Sequence, residues 1–372
     1  MAFELARYNR VLFIDRAPDR HSFLKRIFST RKQAVAIQEN PEFIQDNLWV
    51  LHPVTMLESG NWSPTYKLFD YFNRTNNKRL AIEIKKTIRD LGFTNCLMIN
   101  DNDFFRGLYQ KSLLPIRDYI FYMRDLLTSQ PYFSKYGPRC EMEMIQKSDL
   151  VVANSRWLAE YAGQWNPNSV DIGQGCNPEA FIKDNLPEPD DIKSIPGPII
   201  GYCGAIHSLR LDEALLLHIA REMPDISLVL VGPEDSQFAR SPLKQLSNVF
   251  FPGPKRPDQT ASYINQFTVC INPQLVNPLT IGNYPRKIDE YLASGKPVVA
   301  TATAAMEMFS EFCVLCSTKE EFTEAIQKLL VQPAGDAKER RDKGRDFALS
   351  HSWENSIGAL GDAYFFTEEK LK

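Results

Sequence analysis

Lys287 and Glu290 stand three residues apart in the segment Tyr284-Pro285-Arg286-Lys287-Ile288-Asp289-Glu290-Tyr291-Leu292-Ala293-Ser294-Gly295-Lys296-Pro297-Val298-Val299-Ala300. On a helix that spacing places both on one face, with Lys287 nearer the amino end. A carboxylate can take two hydrogen bonds from a ribose diol, and an ammonium beside a helix N-terminus suits phosphate. The pair would hold a nucleotide. A solvent-facing charge pair at a helix–strand corner has the same spacing. The flanks define the corner. Pro285 suits the first helical position, and Gly295 suits the left-handed residue past the helix end. Pro297 cannot continue a helix, and Val298-Val299-Ala300 is an apolar run of strand length.

Other candidates lie upstream. Gly204-Ala205-Ile206-His207-Ser208 follows an apolar run and is expected to open a helix, whose amides would meet a diphosphate. Gly204 would let the backbone approach closely. His207 and Arg210 are the nearby cations; each reads equally as a surface residue. Gly232-Pro233-Glu234 and Gly253-Pro254-Lys255 each close a strand, and each also reads as a plain turn. Tyr284 precedes the signature helix, so its amide could line the same site, or its ring could simply pack. Asp101-Asn102-Asp103 pairs two carboxylates that would suit a hard cation, but a solvated turn is the simpler reading. Cys313-Val314-Leu315-Cys316 is a lone pair of thiols, short of the four ligands of a structural zinc site. No metal is expected.

The elements that must position these residues alternate. In the second half, strands are expected at Ile199–Cys203, Ser227–Val231, Val249–Phe251, Val269–Ile271, Val298–Ala300 and Cys313–Leu315, with helices between them. In the first half, strands are expected at Arg10–Asp15, Leu48–Pro53, Cys96–Asn100, Tyr119–Met123 and Leu150–Ala153, with a helix from Arg79 to Leu91. Short strands separated by helices imply parallel pairing with right-handed crossovers, hence α/β doubly wound sheets. Between the halves, Lys183 to Pro198 is acidic and proline-rich and reads as a linker. We expect domains at 1–190 and 191–351, with the last helix, about 352–372, packing back on the first.

Bulk properties narrow the class. The 372 residues are 44% hydrophobic and 24% charged, with a net charge of −3, which describes a globular protein without a large nucleic-acid footprint. No apolar run reaches membrane-spanning length. The opening residues Met1–Arg7 lack a basic-then-apolar pattern, so a cytoplasmic protein is expected. Seven scattered cysteines fit reduced core thiols. The basic, aromatic stretch from Arg16 to Lys32 could rest on anionic lipid at the membrane inner face; an ordinary domain helix with a solvated face is the competing account.

The Lys287–Glu290 segment resembles the nucleotide-sugar signature of GT-B glycosyltransferases, particularly glycosyltransferase family 4. Ser148-Asp149-Leu150-Val151-Val152-Ala153-Asn154-Ser155, Asp171 to Phe181 and Gly201-Tyr202-Cys203-Gly204-Ala205-Ile206 are similar to further segments of that family, in the same order. The resemblance implies two Rossmann-like domains facing across a cleft, with an acceptor site in the first and a donor site in the second. It implies that Glu290 binds the donor ribose and that the Lys255 loop lies near the base. Asp125 matches an aspartate that could orient or deprotonate an acceptor hydroxyl; it could equally cap a helix. Two departures stand out. Gly282 occupies the position of the first glutamate of the family's E-x7-E motif, and the family's G-R…K-G loop is absent. The implied activity is transfer of a sugar from a nucleoside-diphosphate sugar to a glycan or lipid-linked acceptor, with retention, and without metal or cofactor. A nucleotide-sugar epimerase and a non-catalytic sugar- or partner-binding protein on the same scaffold are the alternatives.

Overall fold

The computed structural model describes residues 1–20, 40–183 and 186–371. Most of the Arg16–Lys32 stretch lies outside the described residues. The chain divides into two compact units, residues 1–172 with 357–372, and residues 173–356.

Unit 1 holds β1 (Val11–Ile14), β2 (Glu42–Gln45), β3 (Leu48–Leu51), α1 (Tyr66–Asp90), β4 (Cys96–Asp101), β5 (Ile116–Met123), α2 (Gly137–Lys147), β6 (Leu150–Ala153), α3 (Arg156–Gly163) and β7 (Ser169–Asp171). One sheet runs β1-β3-β2 and another β4-β5-β6-β7. The second is parallel throughout and buried on both faces, as parallel sheets are. Phe121, Met123, Val151 and Ala153 pack toward α2 and α3. Ile120, Tyr122, Leu150 and Val152 turn the other way, against Leu360. Two features differ from the sequence expectation. β2 is an added strand, antiparallel to β3. And α1 starts well before Arg79, because its low-propensity asparagines are paid back by tertiary bonds: Asn76 exchanges two 2.8 Å hydrogen bonds with the Glu58 backbone, and Asn77 donates to the Phe105 carbonyl at 3.0 Å.

Unit 2 holds β8 (Ile199–Cys203), α4 (Glu213–Glu222), β9 (Ser227–Val231), β10 (Val249–Gly253), α5 (Thr260–Gln266), β11 (Val269–Asn272), α6 (Lys287–Ala293), β12 (Val298–Thr301), β13 (Cys313–Cys316), α7 (Lys319–Leu330) and α8 (Ala334–Ser350). A last helix, α9 (Trp353–Leu371), starts in unit 2 and continues into unit 1. The six strands lie in the order β10-β9-β8-β11-β12-β13, all parallel. Ile200, Tyr202, Leu228 and Val299 face α4 and α7. Cys203, Val229, Cys270 and Ala300 face α5 and α6.

The proline-rich stretch is not a free linker, and the division falls at Ile172/Gly173 rather than near 190. The segment after Gly173 is bonded into unit 2: the Cys176 amide donates to His351 at 2.9 Å, and the Trp353 amide donates to Cys176 at 3.2 Å. Farther on, Asp191 accepts from Lys255 Nζ and from the Tyr263 hydroxyl, both at 2.7 Å.

Candidate functional site

Counted within unit 2, the strand order is 3-2-1-4-5-6. In such a sheet the connections leave in opposite directions from the first and fourth strands, which opens a crevice beyond their carboxyl ends. Those strands are β8 and β11. The residues past their ends are therefore the place to look for chemistry.

Two glycines shape the end of β8. Gly204 has φ +151° and Gly232 has φ +149°. The Gly204 amide donates to the Val231 carbonyl at 2.9 Å. A Cβ on Gly232 would stand 1.8 Å from the Gly204 oxygen, and one on Gly204 would stand 3.1 Å from Lys287 Cε. The strand end, the glycine loop and the start of α6 are thus in contact. The Tyr291 hydroxyl accepts from the Cys203 amide at 2.8 Å and ties α6 to β8. At the other end of α6, Gly295 has φ +69°, its amide donates to Leu292 at 2.8 Å, and the Lys296 amide donates to Tyr291 at 3.0 Å. That is the double-bonded glycine stop expected from sequence.

Lys287 is half-buried, and its Nζ lies 5.3 Å from the centre of the Tyr202 ring. Burial pushes its pKa down to about 8; Glu290 pulls the other way, and Arg210 adds to the depression. Glu290 keeps 17% of its side chain exposed and accepts from Arg286 Nε at 3.2 Å. Burial raises its pKa, while Arg286 and Lys287 oppose the rise. Gly204, Arg210, Lys287 and Glu290 are therefore gathered at one strand end.

Other expected residues have different surroundings. The glycine loop does not open a helix. α4 begins only at Glu213, capped by Asp212, whose carboxylate accepts from the Leu215 amide at 2.9 Å. The amides of Gly204, Ile206, Ser208, Leu209, Arg210 and Leu211 already donate within the protein. Ala205 is exposed, and its carbonyl accepts from Tyr202 at 3.0 Å. His207 is turned to Asp235 at 3.5 Å. Against the burial that would raise it, the Phe238 amide and the Ser208 hydroxyl and amide hold Asp235 at about 2. Lys255 is committed to Asp191. Tyr284 is buried, and its hydroxyl donates to Asp289 at 2.8 Å beside His351 Nδ1 at 3.1 Å. Its ring is core rather than lining, because Asp289 is fully buried and needs that donor. α6 starts at Lys287, with Pro285 just ahead of it accepting from the Ile288 amide at 2.8 Å.

Sequence reasoning passed over the end of β11. Asn272 is fully buried, and neither its Oδ1 nor its Nδ2 has a partner among the described residues. It pairs in register with Ala300 and so points to the sheet face that α6 covers. Gln274, two residues on, is buried with an unpartnered Oε1, and its backbone bridges to Leu211 beside Arg210. The available signal was a polar residue closing the apolar run Val269-Cys270-Ile271.

In unit 1, Asp125 follows β5 in a half-buried loop, where its carbonyl accepts from Asn102 Nδ2 at 3.0 Å. Asp101 pairs with Arg124 at 3.1 Å, and Asp103 with Arg106 at 2.9 Å. Among the described residues no group of three His, Cys, Asp or Glu could hold a metal ion. Cys313 and Cys316 are free and buried, and burial raises both thiols. No described helix is long and apolar enough to cross a membrane.

Solved structures share this architecture across the chain. Sucrose-phosphate synthase from Thermosynechococcus elongatus superposes with a TM-score of 0.67 at 18% identity, covering 99% of this chain and 92% of that one. Anabaena HepE in complex with UDP gives a TM-score of 0.62 at 16% identity, covering 85% and 86%. The fold is GT-B, built from Rossmann-like units. Residues 197–332, the heart of unit 2, match the family described as "Glycosyl transferases group 1". A Bacillus subtilis protein named as a putative teichuronic acid biosynthesis glycosyltransferase, TuaH, is 27% identical over 227 residues, which are 57% of this chain and 56% of that protein. The match thus spans little more than half of that relative's length. The resemblance to GT-B, group 1 glycosyltransferases read from the signature segment holds.

Proposed function

We propose that the chain is a glycosyltransferase that moves a sugar from a nucleoside-diphosphate sugar to a hydroxyl of a glycan or lipid-linked acceptor. The observation that carries this reading is the gathering of Lys287 and Glu290 with the Gly204 loop at the switch point of unit 2. Structures of Anabaena HepE with UDP and with UDP-glucose support a nucleotide-sugar donor. The Bacillus relative supports a polysaccharide as the destination.

In this reading Glu290 accepts from the ribose diol. Lys287 meets the diphosphate, with Arg210 nearby. As the sugar–oxygen bond breaks, negative charge builds on the leaving diphosphate. Lys287 lies in a low-dielectric pocket where its charge is worth more than in water, and it stabilises that charge without a metal. Asp125 orients the acceptor hydroxyl, and the anomeric configuration is retained.

Melting-temperature shifts with uridine, guanosine and adenosine diphosphates test the donor site. At least one should stabilise the protein by the mass-action term, about 2.7 kcal/mol at a hundredfold excess over Kd. In Glu290→Ala that shift should vanish. An undiminished shift would move the donor site elsewhere.

Gly282, standing where the family motif has a glutamate, favours a second reading: a protein that binds nucleotide sugars without turning them over. Donor consumption by the purified protein separates the two.

A further inference from the structure

α6 is seven residues long, and no side chain caps its start. Helices below roughly 12–15 residues are marginal on their own in water, so tertiary contacts must fix α6. Glu290 sits between two residues that supply them. On one side, the Tyr291 hydroxyl is bonded to the Cys203 amide at the end of β8 at 2.8 Å. On the other, Asp289 is fully buried, with Oδ1 2.9 Å from His351 Nδ1 and Oδ2 2.8 Å from the Tyr284 hydroxyl. Successive helical residues point roughly 100° apart. Pinning Asp289 and Tyr291 therefore fixes the direction in which Glu290 leaves the helix.

His351 is itself held. It follows Ser350, the last residue of α8. Its amide donates to Ala348 at 3.1 Å, and its carbonyl accepts from the Cys176 amide at 2.9 Å and from the Cys176 thiol at 3.2 Å. Its ring stands edge-on to Phe347, 4.4 Å between centres, with Tyr284 at 5.9 Å and Phe309 at 6.4 Å. α8 also approaches α6 directly: a Cβ on Gly344 would stand 3.2 Å from Leu292, and Arg345 Nε donates to the Ala293 carbonyl at 3.2 Å. Burial raises the pKa of Asp289, while His351, Tyr284 and Arg286 oppose the rise. A buried acid with a cationic partner gains little stability over an apolar pair of the same volume. What it adds is direction, because each hydrogen bond holds only over a narrow range of angle and length. Here that direction is imposed one residue from Glu290.

We infer that Asp289 and His351 are positioning residues, which set the rotation of α6 and so aim Glu290 and Lys287 at the nucleoside diphosphate. The inference rests on the transferase reading for its ligand, whereas the clamp itself belongs to the free protein.

Hydrogen exchange of the free, full chain reads the clamp, and calorimetric titration with uridine, guanosine and adenosine diphosphates reads its effect. In His351→Leu, which cannot bond Asp289, the amides of α6 should exchange at least about tenfold faster while those of α4 keep their rates. Affinity for the diphosphate that binds the wild type should fall at least about tenfold, the scale of one lost hydrogen bond to a charged group. His351→Asn places an amide Nδ2 where Nδ1 stands and should restore both. Tyr284→Phe removes the other bond to Asp289 and should move both readouts in the same direction; it decides the matter where His351→Leu does not fold. A role in stability alone would lower the urea midpoint and leave the affinity of the folded protein as it was. Unchanged exchange in α6, a rise spread evenly over α4 and α6, or undiminished affinity in a folded variant would each overturn the inference. The donor reading fails separately, when no diphosphate binds the wild type or when Glu290→Ala binds as tightly; exchange then decides the clamp alone.

Discussion

Lys287 shows how one residue's surroundings set its working range. Its ammonium is depressed to about 8 by burial, and only the charged form attracts a diphosphate. The ligand-free protein loses that proton as pH rises through 8, and binding must then restore it. Affinity for whichever nucleoside diphosphate stabilises the protein should therefore hold below pH 7.5 and fall by up to tenfold per unit above pH 8. Lys287→Arg, which cannot deprotonate, should flatten the profile even if it binds more weakly. Calorimetric titration at several pH values reads both. A flat wild-type profile would take Lys287 out of the phosphate contact.

At the level of elements, the glycine turns after β8 and β9 hold the site together. Gly232 combines a left-handed φ with a backbone oxygen at the position a side chain would need. Gly232→Ala should cost at least about 2 kcal/mol through backbone displacement, seen as a lower urea midpoint. Gly358 is the contrast: it lies exposed within α9 with open space around its Cα. Gly358→Ala should stabilise by about 0.4–1 kcal/mol, because it restricts the unfolded chain without strain in the folded one. Equal effects of the two would mean that contact geometry at the β8 end does not limit the fold.

For the molecule as a whole, stability is coupled to pH through a buried carboxyl group of unit 1. Glu141 on α2 is fully buried; burial pushes its pKa up to about 7, opposed by hydrogen bonds from Tyr161 and Thr128. The folded protein keeps that proton where the unfolded chain, with a pKa of 4.5, has released it. Unfolding free energy should then fall as pH rises from about 4.5 to about 7 and level off beyond, by up to about 3 kcal/mol from this group. Glu141→Gln should remove that slope in chemical denaturation curves. A slope unchanged in the variant would assign it to other groups.

The alternation of strands and helices, the glycine stop at Gly295 and the Lys287–Glu290 pair were legible in the sequence. Each is encoded within a few neighbouring residues, by periodicity, by capping or by helical spacing. Partners distant in the chain were not. Tyr284 turns inward because Asp289 and His351 meet it there, and Lys255 is spent on Asp191. Asn272 became a candidate only when the strand order set β8 beside β11 and left its amide buried without a partner. The same holds in unit 1 for Asn61 and Asn102, whose amides donate to the carbonyls of Tyr132 and Asp125, far along the chain. Local sequence sets which elements form; the energy of a buried polar atom depends on what the folded chain brings within about 3 Å of it, and tertiary structure alone decides that.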